Sequence, residues 1–260
     1  MCRLFFQSSK KIEDATGWLL SYENSLFHQS MTDETNRPNA DGWGLGWLDE
    51  SHSFRVKKSS KPAFLDPEYK YTSQSLKSNL ILGHIRRASV GEINLHNAHP
   101  FQFGRFLFIH NGNIPSFKKD PEFIYSKISN DLKSYIKGTT DSEAVFYYFL
   151  SHILHLDPVQ EKDQVIKTLS DMILYLLNYD LSDKQYFNAL NFFLSTPEIT
   201  FGFRFNKSLY YFNDPDKILI ASEPIKDYNI WKEIDDESLF VVVNNRIEFY
   251  PIHQLIKIKV

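Results

Sequence analysis

Across 260 residues there is a single cysteine, and it stands at position 2. One thiol excludes an internal disulfide and any metal site built on several cysteines, and it fits a reducing compartment. Only 10 glycines and 11 prolines leave little chain for flexible linkers. A net charge of -3 is too small to argue for nucleic acid or an anionic membrane as partner. No apolar run reaches the length of a membrane span: "DMILYLLNY" is short and carries a charge. The N-terminus lacks a basic region followed by an apolar one, so no signal peptide is read and a cytoplasmic protein is expected. The nine histidines show no metal-ligand spacing. Neither a metal nor another cofactor is expected. What the chain does have is aromatic bulk, 22 Phe, 14 Tyr and 4 Trp, enough to fill a sizeable core.

Periodicity divides the chain into strands, then helices, then strands. "CRLFFQS" reads as a strand headed by the thiol. Helical spacing of Ile12, Ala15, Trp18, Leu19, Tyr22 and Leu26 predicts a helix, and residues 29–44 read as a polar loop. "GLGWLDE", "SFRVKKS", "NLILGHIRRAS" and "RFLFIHNGN" read as strands, the last ending in an Asn-Gly turn. Residues 116–136 read as a helix, and so does "TTDSEAVFYYFLSHILHL", where Thr140 and Glu143 have capping-box spacing. A further helix is expected over 160–179. From 187 onward "FNALNFFLST", "ITFGFRF", "SLYYF", "KILIASE", "SLFVVV", "RIEFYPI" and "LIKIKV" read as strands. No repeat or composition break divides the chain, so one α+β domain over 1–260 with largely antiparallel sheets is expected.

The chemistry starts at Cys2. Removal of Met1, which a small second residue permits, would put a thiol and a free α-amine on one residue. That amine titrates at about 7.7–8.0 and can act as base toward its own nucleophile. Alone, a single cysteine is more often a small buried hydrophobe. Four stretches weigh against that: "NADGWGLGW" (39–47), "GHIRRASVGEINLHNAHPF" (83–101), "IHNGNIPSF" (109–117) and "GTTDSEAV" (138–145). In this order behind Cys2 they resemble the class II glutamine amidotransferases, the N-terminal-nucleophile hydrolases, and most nearly the stand-alone type consisting of the glutaminase domain. "ASEPI" (221–225) and Trp231 extend the resemblance over nearly the whole chain.

The resemblance implies a four-layer αββα sandwich, with two antiparallel sheets between helical layers. It implies that Cys2 attacks a γ-glutamyl amide and that Asn111 with the Gly112 N–H forms the oxyanion hole. By the same resemblance Arg86 takes the substrate α-carboxylate, with Ser89 three residues on, and Asp141 takes the α-ammonium. His99 orders the loop around the nucleophile. A guanidinium suits a carboxylate because it makes two parallel hydrogen bonds. Arg87 competes with Arg86 by spacing alone, since adjacent residues of a strand face opposite ways. Asn-Gly is also the commonest hairpin turn, and Asp141 would in any case favour a helix start. His84, His96 and His110 read as structural. Gly42, Trp43 and Gly44 read as a loop over the pocket, with Trp43 otherwise a core residue.

The sugar-phosphate amidotransferases of this class carry Trp where this chain has Arg87, and a second His where it has Val90. That argues against channelled transfer of ammonia to a sugar phosphate and leaves the hydrolytic half-reaction. Glutamine is the default substrate; γ-glutamyl peptides or thiol conjugates are the alternative. An ammonia-accepting partner protein is compatible with the first. A papain-like protease would need Cys2 at a helix start, where the pattern reads strand. A silent γ-glutamyl-binding module is the remaining alternative if Met1 is retained.

Overall fold

The computed structural model describes residues 2–32, 36–180 and 189–252. Two antiparallel sheets make its centre. The first has seven strands. They are β1 (Arg3–Asp14), β2 (Trp43–Leu48), β3 (Phe54–Ser59), β4 (Lys77–Ile85), β9 (Tyr210–Asn213), β10 (Lys217–Ala221) and β11 (Lys232–Glu233). The order is β11-β9-β10-β1-β4-β2-β3, so β1 is central and pairs with β4 and β10. The second sheet has six strands. They are β5 (Phe101–Phe103), β6 (Phe106–Asn113), β7 (Ala189–Ser195), β8 (Ile199–Arg204), β12 (Ser238–Val243) and β13 (Arg246–Pro251), in the order β13-β12-β8-β7-β6-β5.

Strand alternation explains the layering. Leu4 and Phe6 of β1, Leu80 and Leu82 of β4, and Leu107 and Ile109 of β6 share one core between the sheets. Phe5, one residue out of phase, joins a second core with Trp43, Leu45 and Ile81 against the helices α1 (Leu26–Met31) and α2 (Pro67–Ser75). Phe108, Phe192 and Phe203, on the far side of the other sheet, pack beneath α5 (Asp141–Ile153) and α6 (Lys162–Asp180). The result is the expected αββα sandwich. The aromatic bulk is concentrated here, with Phe108 stacked on Phe146 at 5.4 Å and Phe6 on Phe193 at 5.4 Å.

Several expectations need correction. No helix starts at Ile12. β1 continues to Asp14, pairing Glu13 and Asp14 with Ser78 and Lys77, and leaves Ile12 exposed. Only a π-helical turn (Gly17–Ser21) and the short α1 follow, separated by Asn24 at φ 54°. The helix expected over 116–136 is three short pieces: a 3₁₀ turn (Pro115–Lys118), α3 (Glu122–Tyr125) and α4 (Asn130–Lys133). Pro121 lacks the N–H needed to continue the first piece. Trp43 and Gly44 lie in β2 rather than in a loop, and Trp43 is fully buried, its Nε1 donating to Asp66 at 3.0 Å. The turn expected at Asn111-Gly112 is absent: β6 runs through both, pairing Asn111 with Asn191 and Gly112 with Leu190. The strand expected at "LIKIKV" lies outside the described residues, as do Met1 and parts of the 29–44 and 150–187 segments.

Candidate active site

Cys2 immediately precedes β1, at the end of that central strand. The backbone after β4 passes beside it. The Arg87 N–H donates to Cys2 Sγ at 3.2 Å, and the thiol donates to the Arg87 carbonyl at 3.3 Å. Burial pushes the thiol pKa up, opposed by the Arg87 backbone bond and by the positive charges of Arg86 and Arg3. A thiol so placed is held neutral until a base takes its proton.

The chain beyond β4 is fixed by the 39–42 turn. Asp41 N–H donates to the Arg86 carbonyl at 3.0 Å, Arg86 N–H to the Gly42 carbonyl at 2.8 Å, and Asp41 Oδ2 accepts the Ala88 N–H at 2.7 Å. Gly42 sits at φ 123°, where a side chain would be strained. Arg86 lies just past the strand and only 3% exposed. Its Nη1 and Nη2 donate to the Glu92 and Val90 carbonyls at 3.0 and 3.1 Å. Its other donors have no partner among the described residues. Burial lowers its pKa while Cys2, Asp41 and Asp141 raise it, but a guanidinium stays charged. Arg87 turns its backbone, not a strand face, to the thiol, so of the pair it is Arg86 that is enclosed.

Asp141 heads α5 and is 3% exposed. Its Oδ2 accepts the Ile114 N–H at 2.9 Å and its Oδ1 the Ser142 N–H at 2.8 Å, tying the helix start to the chain leaving β6. Thr140 caps the helix by accepting the Glu143 N–H at 3.2 Å. Glu143 does not return the bond to Thr140. It accepts instead from Lys137 and Gly138 N–H at 3.0 and 2.6 Å, and desolvation raises its pKa. The capping-box pattern therefore secures the approach to the helix as well as its first turn.

Asn111 faces the gap between the sheets, in phase with Ile109. Its side-chain amide makes no hydrogen bond to a described residue, and it lines a cavity of about 210 Å³ together with Arg3. Gly112 admits no side chain: a Cβ there would collide with the Ala189 carbonyl and the His110 ring. His99 is buried with its ring 4.1 Å from that of His84 and 4.6 Å from Phe101. His84 Nε2 donates to the His110 carbonyl at 3.1 Å, and His110 Nδ1 contacts Ser142 Oγ at 2.8 Å. Burial lowers the pKa of all these imidazoles, His84 to about 3, so they are neutral packing groups that join β4, β6 and α5. Ser89 stands apart: it is exposed, and its hydroxyl has no partner among the described residues.

Three residues that the motifs did not single out hold the others in place. Asp41 sets the 86–88 backbone. Asn97, fully buried, donates to the Glu92 carbonyl at 3.0 Å and accepts the Thr139 N–H at 2.7 Å, binding the loop after Arg86 to the approach of α5. Asn191, across from Asn111, donates to the Lys207 carbonyl at 3.1 Å and accepts the Phe205 N–H at 2.8 Å. Turn-forming "NADG" and the asparagine in "NAHP" were available as signals; Asn191 inside an apolar strand was the plainest one, because a buried amide needs partners. Among the described residues no cluster of His, Cys, Asp and Glu has the geometry of a metal site. Nor is any helix there long and apolar enough to cross a membrane.

Comparison with known proteins fits this arrangement. The class-II glutamine amidotransferases match over residues 1–215. A Saccharomyces cerevisiae protein described as a probable glutamine amidotransferase is 29% identical over 173 residues, 62% of this chain and 48% of that one. The chain thus spans about half the length of that relative. A Mycolicibacterium smegmatis protein named γ-glutamyl-hercynylcysteine sulfoxide hydrolase is 25% identical over 215 residues, 82% of each chain. Among solved structures, a class-II domain protein from Silicibacter pomeroyi superposes with a TM-score of 0.65 at 20% identity, covering 96% of this chain and 99% of its own. The phosphoribosylpyrophosphate amidotransferase of Bacillus subtilis gives the same TM-score at 14% identity, covering 96% of this chain and 49% of its own. With the family match spanning most of its length and the same fold beneath it, the chain belongs to the class II glutamine amidotransferases.

Proposed function

We propose that the protein hydrolyses γ-glutamyl amide bonds through Cys2, freed as the N-terminal residue by removal of Met1. What supports this reading is the Cys2 thiol at the head of the central strand, hydrogen-bonded to the Arg87 backbone and within reach of the charge of the enclosed Arg86, which in turn feels that of the buried Asp141. Arg86 and Asp141 are opposite charges held in place by backbone bonds, suited to the α-carboxylate and α-ammonium of a glutamyl group. Asn111, with the Gly112 N–H, is suited to an oxyanion.

In this mechanism the Cys2 α-amine takes the thiol proton and the thiolate attacks the γ-carbonyl carbon. A C–S bond forms, and the carbonyl oxygen becomes an oxyanion against Asn111. The C–N bond breaks as the amine returns the proton to the leaving nitrogen. Water then attacks the thioester, releasing glutamate and restoring the thiol. The enzyme needs no separate histidine, in keeping with neutral, buried imidazoles at 84, 99 and 110. With glutamine, ammonia leaves. The relative from Mycolicibacterium smegmatis, named γ-glutamyl-hercynylcysteine sulfoxide hydrolase, favours a second reading in which a larger amine leaves.

The test is glutamate release from glutamine and from glutathione by wild type and by Cys2→Ser. Release by the wild type that the substitution removes supports the reading. Release that survives it, or none from any γ-glutamyl amide, refutes it.

A further inference from the structure

The Cys2 sulfur meets two groups of one residue. The Arg87 N–H donates to it at 3.2 Å, and the Arg87 carbonyl accepts from the thiol at 3.3 Å. These groups belong to different peptide units. The Arg87 N–H shares its plane with the Arg86 carbonyl, and the Arg87 carbonyl shares its plane with the Ala88 N–H. Both peptides are trans, so in each unit the carbonyl and the N–H point opposite ways. The far ends turn away from the sulfur, and whatever holds them aims the near ends at it.

Asp41 holds both far ends. Its N–H donates to the Arg86 carbonyl at 3.0 Å, and its Oδ2 accepts the Ala88 N–H at 2.7 Å. The ladder between β2 and β4 explains how. Trp43 pairs with Ile85, and the Arg86 N–H still reaches the Gly42 carbonyl at 2.8 Å. At Gly42, with φ 123°, the ladder slips by one residue, so Asp41 rather than Gly42 donates to the Arg86 carbonyl. Beyond the slip, the Asp41 carboxylate does for Ala88 what a strand carbonyl would do. The turn is anchored from behind by Asn39, which is fully buried. Its N–H donates to the Ser30 carbonyl and its Nδ2 to the Gln29 carbonyl, both at 2.9 Å and both in α1.

We infer that Asp41 is a positioning residue for the nucleophile: through the two peptides flanking Arg87 it fixes the direction of the Cys2 thiol and holds the thiol proton until the base takes it. The inference rests on the hydrolase reading above and says how that nucleophile is kept at rest. A donor to sulfur favours the thiolate, and an acceptor from it favours the thiol. The Asp41 N–H keeps the donor in place and survives any substitution there except proline. The carboxylate keeps the acceptor in place, and substitution removes it.

The experiment measures glutamate release from glutamine and alkylation of Cys2 by iodoacetamide at pH 7, in wild type, Asp41→Ala, Asp41→Asn and Ala88→Pro. Cys2 is the one thiol of the chain, so alkylation reads it without background. Asp41→Ala should lower kcat by about tenfold or more and leave KM within about twofold, because the sulfur is misaimed while Arg86 and Asp141 are untouched. It should speed alkylation by about threefold or more, because the thiol proton has lost its fixed acceptor. Asp41→Asn, whose amide oxygen can still accept the Ala88 N–H, should bring kcat back to within about threefold of wild type. Ala88→Pro deletes the same bond from its other end and keeps the carboxylate charge. It should reproduce both changes, and it carries the test if Asp41→Ala does not fold. A raised KM with kcat intact, alkylation no faster than in wild type, or an Asn variant as slow as the Ala variant overturns the inference. If wild type releases no glutamate, the hydrolase reading falls and alkylation alone decides the clamp: faster in Asp41→Ala sustains it, unchanged removes it.

Discussion

The two walls flanking Cys2 are held in opposite ways. On the Arg86–Asp141 wall both charged residues are 3% exposed and bonded mainly to backbone: the Val90 and Glu92 carbonyls, the Ile114 and Ser142 N–H groups. On the Arg3–Glu223 wall Arg3 is equally buried, its side chain 5% exposed, but its partner Glu223 is 31% exposed and the Asn206–Ser208 turn reaches solvent. Buried, pre-positioned charges act in a low dielectric with no reorganisation, whereas exposed pairs are screened. The first wall is therefore the more rigid and the less screened of the two.

That contrast can be broken by substitution. Cys2→Ala, which removes the proposed nucleophile, should lower glutamate release by about 10⁴-fold or more. On the inner wall, Asp141→Ala should cost about 10²- to 10³-fold in kcat/KM. It should also cost about 1–3 kcal/mol of stability, because the Ile114 and Ser142 N–H groups lose their acceptor. Steady-state kinetics and urea unfolding read these. The inner side should also show in acid. Burial pushes His84 down to about 3 from an ordinary 6.5. The unfolded chain takes up that proton near pH 6.5 and the folded one resists it until near pH 3. Stability is thus whole above the first value and is lost as pH falls toward the second. His84→Gln, keeping a donor for the His110 carbonyl, should flatten the loss of urea midpoint over that window. On the outer wall Glu223→Gln should cost less stability than Asp141→Ala, measured by thermal unfolding, because the Glu223 carboxylate is partly solvated while only its partner Arg3 is buried. An Asp141 effect as small as that of Glu223 would erase the distinction.

Much of this was legible before the structure. Strong alternation located β1, β4, β6 and most C-terminal strands, and Thr140 with an apolar run located α5. Failures fall where tertiary pairing outweighed local pattern. Ile12, Ala15 and Leu19 have helical spacing, yet pairing of Glu13 and Asp14 with Ser78 and Lys77 of β4 extends β1 through the first of them. Asn111-Gly112 carries a strong turn signal, but seven consecutive pairings with β7 keep it extended. α2 has little periodic signal because only Tyr69, Thr72 and Ser73 of it are buried, although Asp66 followed by Pro67 is a helix-start signal, and Asp66 does accept the Glu68 N–H. At the site, the resemblance named Cys2, Arg86, Asn111 and Asp141. It could not give the partners that position them, because Asp41, Asn97 and Asn191 act through backbone groups distant in sequence.

The central claim is that Cys2 is a mature N-terminal nucleophile acylated during turnover. Intact-mass measurement of the purified protein, before and during acid-quenched turnover of a γ-glutamyl substrate, tests it directly. The account predicts a chain lacking Met1 that gains one glutamyl group, located on the peptide containing Cys2. A protein that releases glutamate while retaining Met1, or that carries the glutamyl group on another residue, would contradict it.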